Sequence, residues 1–134
     1  MCPPSQAPIL PSLKPSPKKS VDFARSDCPV ACTLDVLGDR WTLLVVRDLL
    51  LGKRRYGDFL ASPEGIQTNI LAERLKRLEA AGLVERKSYQ DNPPRHEYLP
   101  TTKTRELAPV LVAMAMWANR HMPGTMTGWT QHLR

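Results

Sequence analysis

A mainly helical fold with one small β-hairpin is what this sequence of 134 residues predicts, and three observations predict it. Leucines recur at helical spacing in LAERLKRLEAAG, from Leu71 to a stop at Gly82. An almost wholly apolar run, WTLLVVRDLLLG, lies earlier and also ends on a glycine, Gly52. After Gly82, the extended formers LVERKSY and RHEYL flank DNPP, which is turn chemistry.

Taken in order, the first twenty residues, MCPPSQAPILPSLKPSPKKS, hold Pro3, Pro4, Pro8, Pro11, Pro15 and Pro17 and few apolar side chains. Such a stretch cannot bury enough surface to offset its ordering entropy, so residues 1–24 are expected to be a disordered, Pro-rich tail. A proline-rich recognition peptide is the functional alternative. A first helix starts near Cys28, because Pro29 suits a first helical turn; Leu34 and Leu37 continue its apolar face and Gly38 ends it. Trp41 to Gly52 reads as a helix buried in the middle of the domain. Lys53, Arg54 and Arg55 then lead into YGDFLAS, long enough for two helical turns before Pro63 and Gly65 break the chain.

The next helix is predicted from about Gln67 to Ala81, with Leu71, Leu75 and Leu78 on one face. Gly82 is its natural C-terminal cap, and the hairpin follows, its loop stiffened at Pro93 and Pro94. Thr101 is placed to cap a last helix carrying Leu107, Leu111, Met114, Ala118 and His121 at heptad spacing, bent early by Pro109. The organised domain is therefore expected over residues 25–122, with residues 123–134 as a flexible C-terminal tail.

Composition narrows the function classes. Lys plus Arg number 19 against 13 Asp plus Glu, a formal charge of +6, which suits a partner made of phosphates but also occurs in proteins that bind none. No run approaches the roughly 18 apolar residues of a membrane span, and no apolar signal region opens the chain, so a cytoplasmic protein without a membrane partner is expected. Cys2, Cys28 and Cys32 are too few and too odd in number for a disulfide framework, and reduced thiols are expected. Cys28 and Cys32 lack a second ligand pair, and His96, His121 and His132 are scattered, which argues against a metal. No histidine stands beside a nucleophile in a recognisable motif and no glycine-rich phosphate loop occurs; neither an enzyme nor a cofactor is expected.

The order of elements is that of a winged helix-turn-helix: two supporting helices, a short helix joined by a brief turn to a longer one, a hairpin, and a closing helix. In that plan the second helix of the pair enters the major groove and the hairpin loop, the wing, meets the flanking backbone. Turning about 100° per residue away from Leu71 puts Asn69, Glu73, Lys76 and Ala80 on the outer face, with Ala72 and Arg77 at its edges. Asn can pair with adenine, Lys with guanine, Glu can accept from cytosine, and small Ala72 can touch a thymine methyl. Arg77 suits a phosphate, and Gln67 and Thr68 can present polar groups from the helix N-terminus. The plainer reading is a solvated charged face in which Glu73 and Arg77 form an ordinary i,i+4 pair. Arg86, Lys87 and Arg95 around the wing, with Lys53, Arg54 and Arg55 before the short helix, add positive charge that favours DNA.

Several short motifs in order then carry a specific likeness: CP at Cys28 and Pro29, LDVLGDRW from Leu34, LLLGKRRYGDF from Leu49, GI at Gly65 and Ile66, LAERLKRLEAAGLVER from Leu71, and PPRHEY from Pro93. Over most of Cys28 to His121 the chain resembles the HxlR-type winged helix-turn-helix regulators, a bacterial group within the MarR-like class. The resemblance implies a homodimeric transcription factor specific for double-stranded DNA, with terminal helices building the dimer. Leu107, Leu111, Met114, Trp117 and Ala118 are the candidate dimer residues, internal packing being the alternative. Gln67 stands where the family usually has a serine, and is a poor N-cap. Thr102 and Thr104 stand where proline and glycine are usual. Cys28, at a helix N-terminus that favours thiolate, is the candidate redox sensor of an oxidant or small-molecule effector, as in some family members; a small packing residue is the alternative. The other class of function left open is a winged-helix module that binds protein through the same surface.

Overall fold

The computed structural model describes residues 25–133, so the expected disordered tail, residues 1–24, lies outside the described residues. The chain divides into two compact units, one ending at Asp39 and one beginning at Arg40.

In the first unit, α1 spans Pro29–Leu37, with Pro29 in the first turn, where its missing N–H costs nothing. Cys28 is the extended N-cap residue, and its backbone N–H donates to Ser26 Oγ over 3.0 Å. Arg25 fastens the helix from outside, pairing with Asp35 at 2.8 Å and donating to the Ala31 carbonyl at 3.2 Å. The expected apolar face is divided: Leu37 is buried, whereas Leu34 is 53% exposed. Gly38 does end the helix, but not by a left-handed turn, since its φ is −81°. A Cβ at that position would run into the Leu34 carbonyl oxygen.

The second unit is built on α2, Thr42–Leu50, which buries Thr42, Val45, Val46, Asp48, Leu49 and Leu50, as an almost wholly apolar run must. It is followed by α3, Tyr56–Leu60, and α4, Thr68–Ala80. Phe59 of α3 and Leu71, Leu75 and Leu78 of α4 complete the core with Leu83, Val84 and Leu111. Each such side chain contributes roughly 1.5–3 kcal/mol by leaving water. Gly82, at φ 77°, turns the chain out of α4 in the left-handed conformation that favours glycine.

One buried carboxylate ties the helix pair to this scaffold. Asp48 accepts from Ser62 Oγ at 2.5 Å and from Arg47 Nε at 3.0 Å, and Lys53 Nζ lies 3.6 Å away. Arg47 also grips Glu64 with both terminal nitrogens, at 2.8 and 2.9 Å. Ser62 and Glu64 belong to the turn between α3 and α4, so the network fixes that turn against α2. The pair of bonds to Arg47 holds the Glu64 carboxyl below its ordinary range, and the same bonds raise the Arg47 guanidinium.

The hairpin comprises β1, Val84–Asp91, and β2, Pro94–Pro100, antiparallel, with Val84 opposite Pro100 and Ser88 opposite His96. It is longer than the sequence suggests, since only Asn92 and Pro93 remain as loop. The register slips between Ser88 and Gln90, leaving Tyr89 as the extra residue of a bulge. The Tyr98 N–H donates to the Arg54 carbonyl at 2.8 Å, joining the segment before α3 to β2.

The single closing helix expected from Thr101 is two helices, α5 at Thr102–Arg105 and α6 at Ala108–His121. Pro109 is the reason. It lacks an N–H and its ring clashes with the carbonyl four residues back, so a break falls ahead of it and it sits in the first turn of a new helix. Thr101 makes no side-chain cap bond; its hydroxyl donates to the Gly82 carbonyl at 2.8 Å. Lys103 donates to the Ala81 carbonyl at 2.7 Å and Thr104 to that of Leu83, so α5 satisfies the carbonyls where the chain leaves α4. Past α6, within the stretch expected to be a flexible tail, Trp129–His132 form a 3-10 turn.

Candidate nucleic-acid interface

The leucines of α4 define its outer face by elimination. With Leu71, Leu75 and Leu78 buried, Gln67, Thr68, Asn69, Ala72, Glu73, Lys76, Arg77 and Ala80 are all exposed. The helix begins at Thr68, with Gln67 as an N-cap residue whose side chain makes no capping bond, and its first turn holds no acidic residue. Thr68 does not take over as a cap. Instead the Tyr56 phenol donates to the Thr68 carbonyl at 2.8 Å and holds this first turn to α3. Burial raises the Tyr56 hydroxyl above its ordinary value, with a smaller contribution from Tyr98, so the phenol keeps its proton.

Charge on this face is unevenly committed. Glu73 accepts from Arg74, a residue absent from the sequence-based set, and lies 3.8 Å from Arg77. The i,i+4 pair expected on a solvated face is therefore present. Lys76, Lys87 and Arg95 are exposed and hold no ion pair among the described residues.

The basic run before α3 differs most from expectation. Arg54 donates to the Leu49 carbonyl in the last turn of α2 at 3.0 Å and to the Lys53 carbonyl at 2.9 Å, rather than standing free. Lys53 donates to Ser62 Oγ at 2.8 Å. Arg55 lies over the Tyr89 ring, 3.9 Å from its centre, and 3.5 Å from the Glu97 carboxylate. The basic residues of the wing are also spread out rather than gathered at its tip. Arg95 faces Gln90 near the loop, Lys87 lies opposite Glu97 farther down, and Arg86 sits 4.0 Å from Glu79 of α4. Asp48, Tyr56, Tyr89 and Glu97 went unread in the sequence because each acts on a residue from a different element, which local pattern does not reveal.

The heptad face of α6 is split in the same way. Leu111 is buried against the unit's own core, contrary to its expected place at an interface, and Leu107 and Ala118 are half-buried. Met114 and Trp117 stay outside, 51% and 57% exposed, beside Val110. α6 packs against α2, and Leu111 is the side chain of α6 that is buried.

At the start of α1, Cys28 is disulfide-bonded and Cys32 carries a thiol that donates to the Ser26 carbonyl at 3.3 Å. The expectation of reduced thiols therefore does not hold at Cys28. Among the described residues, no group of three or more His, Cys, Asp or Glu is placed to hold a metal ion, and no helix is long and apolar enough to cross a membrane.

A short helix, a tight turn, a second helix with a polar outer face and an adjoining hairpin make this a winged helix-turn-helix protein. The chain belongs to the HxlR-like helix-turn-helix family, which it matches over residues 36–126. It is 42% identical over 87 residues to an HTH-type transcriptional regulator of Synechocystis sp., covering 65% of this chain and 64% of that protein. To the HTH-type transcriptional regulator YybR of Bacillus subtilis it is 35% identical over 102 residues, covering 76% and 82%. A further relative, from Mycobacterium tuberculosis, is 38% identical over 94 residues, or 70% of this chain. The chain spans 59% of that relative, so it matches less than two thirds of the Synechocystis and Mycobacterium proteins.

Among solved structures, the reduced form of the redox regulator HypR superposes with a TM-score of 0.65 at 34% identity, covering 71% of this chain and 94% of that one. The reduced form of the transcriptional regulator YodB from Bacillus subtilis gives 0.61 at 31%, covering 74% and 98%. These relatives are named as regulators, not as enzymes.

Proposed function

We propose that this protein is a sequence-specific, DNA-binding transcriptional regulator that acts in the cytoplasm as a homodimer. The observation that carries the reading is the outer row of α4, in which Asn69, Ala72, Glu73 and Lys76 are exposed opposite a buried leucine face. Those side chains have the donors and acceptors to read base edges, and small Ala72 lets the helix lie deep in a major groove. The first turn of α4 leaves its amides without a side-chain cap, which suits a phosphate, as do the hydroxyl of Thr68, the amide of Gln67 and the charge of Arg77. Lys87 and Arg95 supply the wing with cations for the flanking backbone.

In the proposed dimer, Met114 and Trp117 form the centre of the contact, flanked by Leu107 and Ala118; Leu111 supports the helix from inside. A two-fold protein reads a two-fold operator, with half-sites about one helical turn apart or a multiple of it. Cys28 is the proposed redox-responsive residue, supported by its place at the N-terminus of α1, by its disulfide, and by structural likeness to a protein named as a redox regulator. Closing a disulfide releases two electrons and two protons, which an oxidant such as diamide accepts.

The test is a footprint and mobility shift on DNA flanking the protein's own gene. A two-fold related protected site, bound at submicromolar protein and weakened steeply by salt, is the expected result. Equal binding to scrambled DNA would replace this reading with that of a protein-binding module. Diamide is expected to release the DNA from the wild type and not from Cys28→Ser.

A further inference from the structure

We infer that Arg55 is a positioning residue, a clamp that holds the wing at a set distance from α4, rather than a cation that meets phosphate; its consequence for DNA rests on the function proposed above. The base of the clamp is tied to α3. Arg55 is the N-cap residue of α3, and its backbone N–H donates to Asp58 Oδ2 at 3.1 Å. Its side chain spans both strands of the hairpin. The guanidinium lies over the ring of Tyr89, the bulged residue of β1, and its Nε is 3.5 Å from Glu97 of β2.

The residues on either side complete the junction. Arg54, through its carbonyl, accepts from the Tyr98 N–H of β2, and Tyr56, through its phenol, donates to Thr68 at the start of α4. Three consecutive residues thus hold the wing on one side and the recognition helix on the other. Because Arg95 lies opposite Gln90, just beyond the bulge, any swing of the hairpin about Tyr89 moves that cation relative to Asn69 and Lys76. A planar guanidinium suits this task. It stacks on an aromatic face while bonding a carboxylate at its edge, which a lysine ammonium does not do.

The experiment has one arm without DNA and one with it. In the free protein, hydrogen exchange of the amides of residues 86–97 is measured for wild type, Arg55→Ala, Tyr89→Ala, Tyr89→Phe, and the Arg55→Ala/Tyr89→Ala double variant. Each alanine variant is expected to speed exchange in the wing by about two- to fivefold, the range for an exposed cation–π contact. The double variant should be no faster than either single one, and Tyr89→Phe, which keeps the ring face, should match wild type. Unchanged exchange in Arg55→Ala, or additive effects in the double variant, would overturn the clamp. With DNA, Arg55→Ala should weaken binding several-fold and leave the slope of log K against log salt unchanged. A slope smaller by about 0.9 would make Arg55 a phosphate contact instead. If wild type binds no DNA with preference, the proposed function fails while the exchange arm still decides the clamp.

Discussion

Tyr56 donates its phenolic hydrogen to the carbonyl of Thr68 across 2.8 Å, so the first residue of α4 is held by the first residue of the short helix before it. This bond, rather than a side-chain cap, orders the start of α4, where Gln67 and Thr68 remain turned outward.

Tyr56→Phe is therefore expected to cost about 0.5–1.5 kcal/mol in urea unfolding, the net worth of one hydrogen bond. The phenol is raised above its ordinary value, so its contribution is present below about pH 10 and lost as pH rises through the folded value. The difference between the two proteins should accordingly shrink in strong alkali; a constant difference would show that the hydroxyl does not act through its proton.

Asp48→Ala should be far more damaging. Asp48 is almost wholly buried, and removing it leaves Arg47 and Ser62 without a bond each makes. A loss of about 3–5 kcal/mol is expected by chemical denaturation, as for a broken buried ion pair. A change under about 1 kcal/mol would mean that water replaces the carboxylate without strain.

Glu64→Gln separates the acid response of the same network. The folded Glu64 carboxyl is depressed by Arg47, so its stabilising effect exists above the ordinary glutamate value, about 4.3, and disappears as pH falls through the lower folded value. Wild type is expected to be the more stable of the two at pH 7, and the two should converge in acid. Persistence of the gap at pH 2 would assign it to shape rather than charge.

The two kinds of residue on α6 should part cleanly. Leu111→Ala is expected to lower unfolding stability by about 2–5 kcal/mol, because it opens a cavity in the core. Trp117→Ser, at an exposed position, should instead shift sedimentation toward monomer while leaving helical content intact. A wild-type sedimentation profile for Trp117→Ser would remove this face from the proposed dimer.

The helices and the hairpin were legible because each is written in local pattern. Leucines three and four apart marked the buried side of α4, and an apolar run with a glycine stop marked α2. The outer row, Asn69, Glu73 and Lys76, followed from the same periodicity. The basic side chains were not legible in this way. In sequence Lys53, Arg54 and Arg55 are three equal cations, yet one donates to a serine, one to backbone carbonyls, and one stacks on a tyrosine more than thirty residues later. Nor does a heptad reveal which of its members a neighbouring helix covers, as Leu111 and Met114 demonstrate.

Periodicity and turn chemistry along the chain thus account for which segments are helix or strand, which face of α4 is turned out, and which family the protein resembles. What a cation or an apolar side chain touches depended on the meeting of distant elements. A long side chain reaches whichever carbonyl, ring or carboxylate the packed core brings within a few ångströms, and that partner lies far away in sequence.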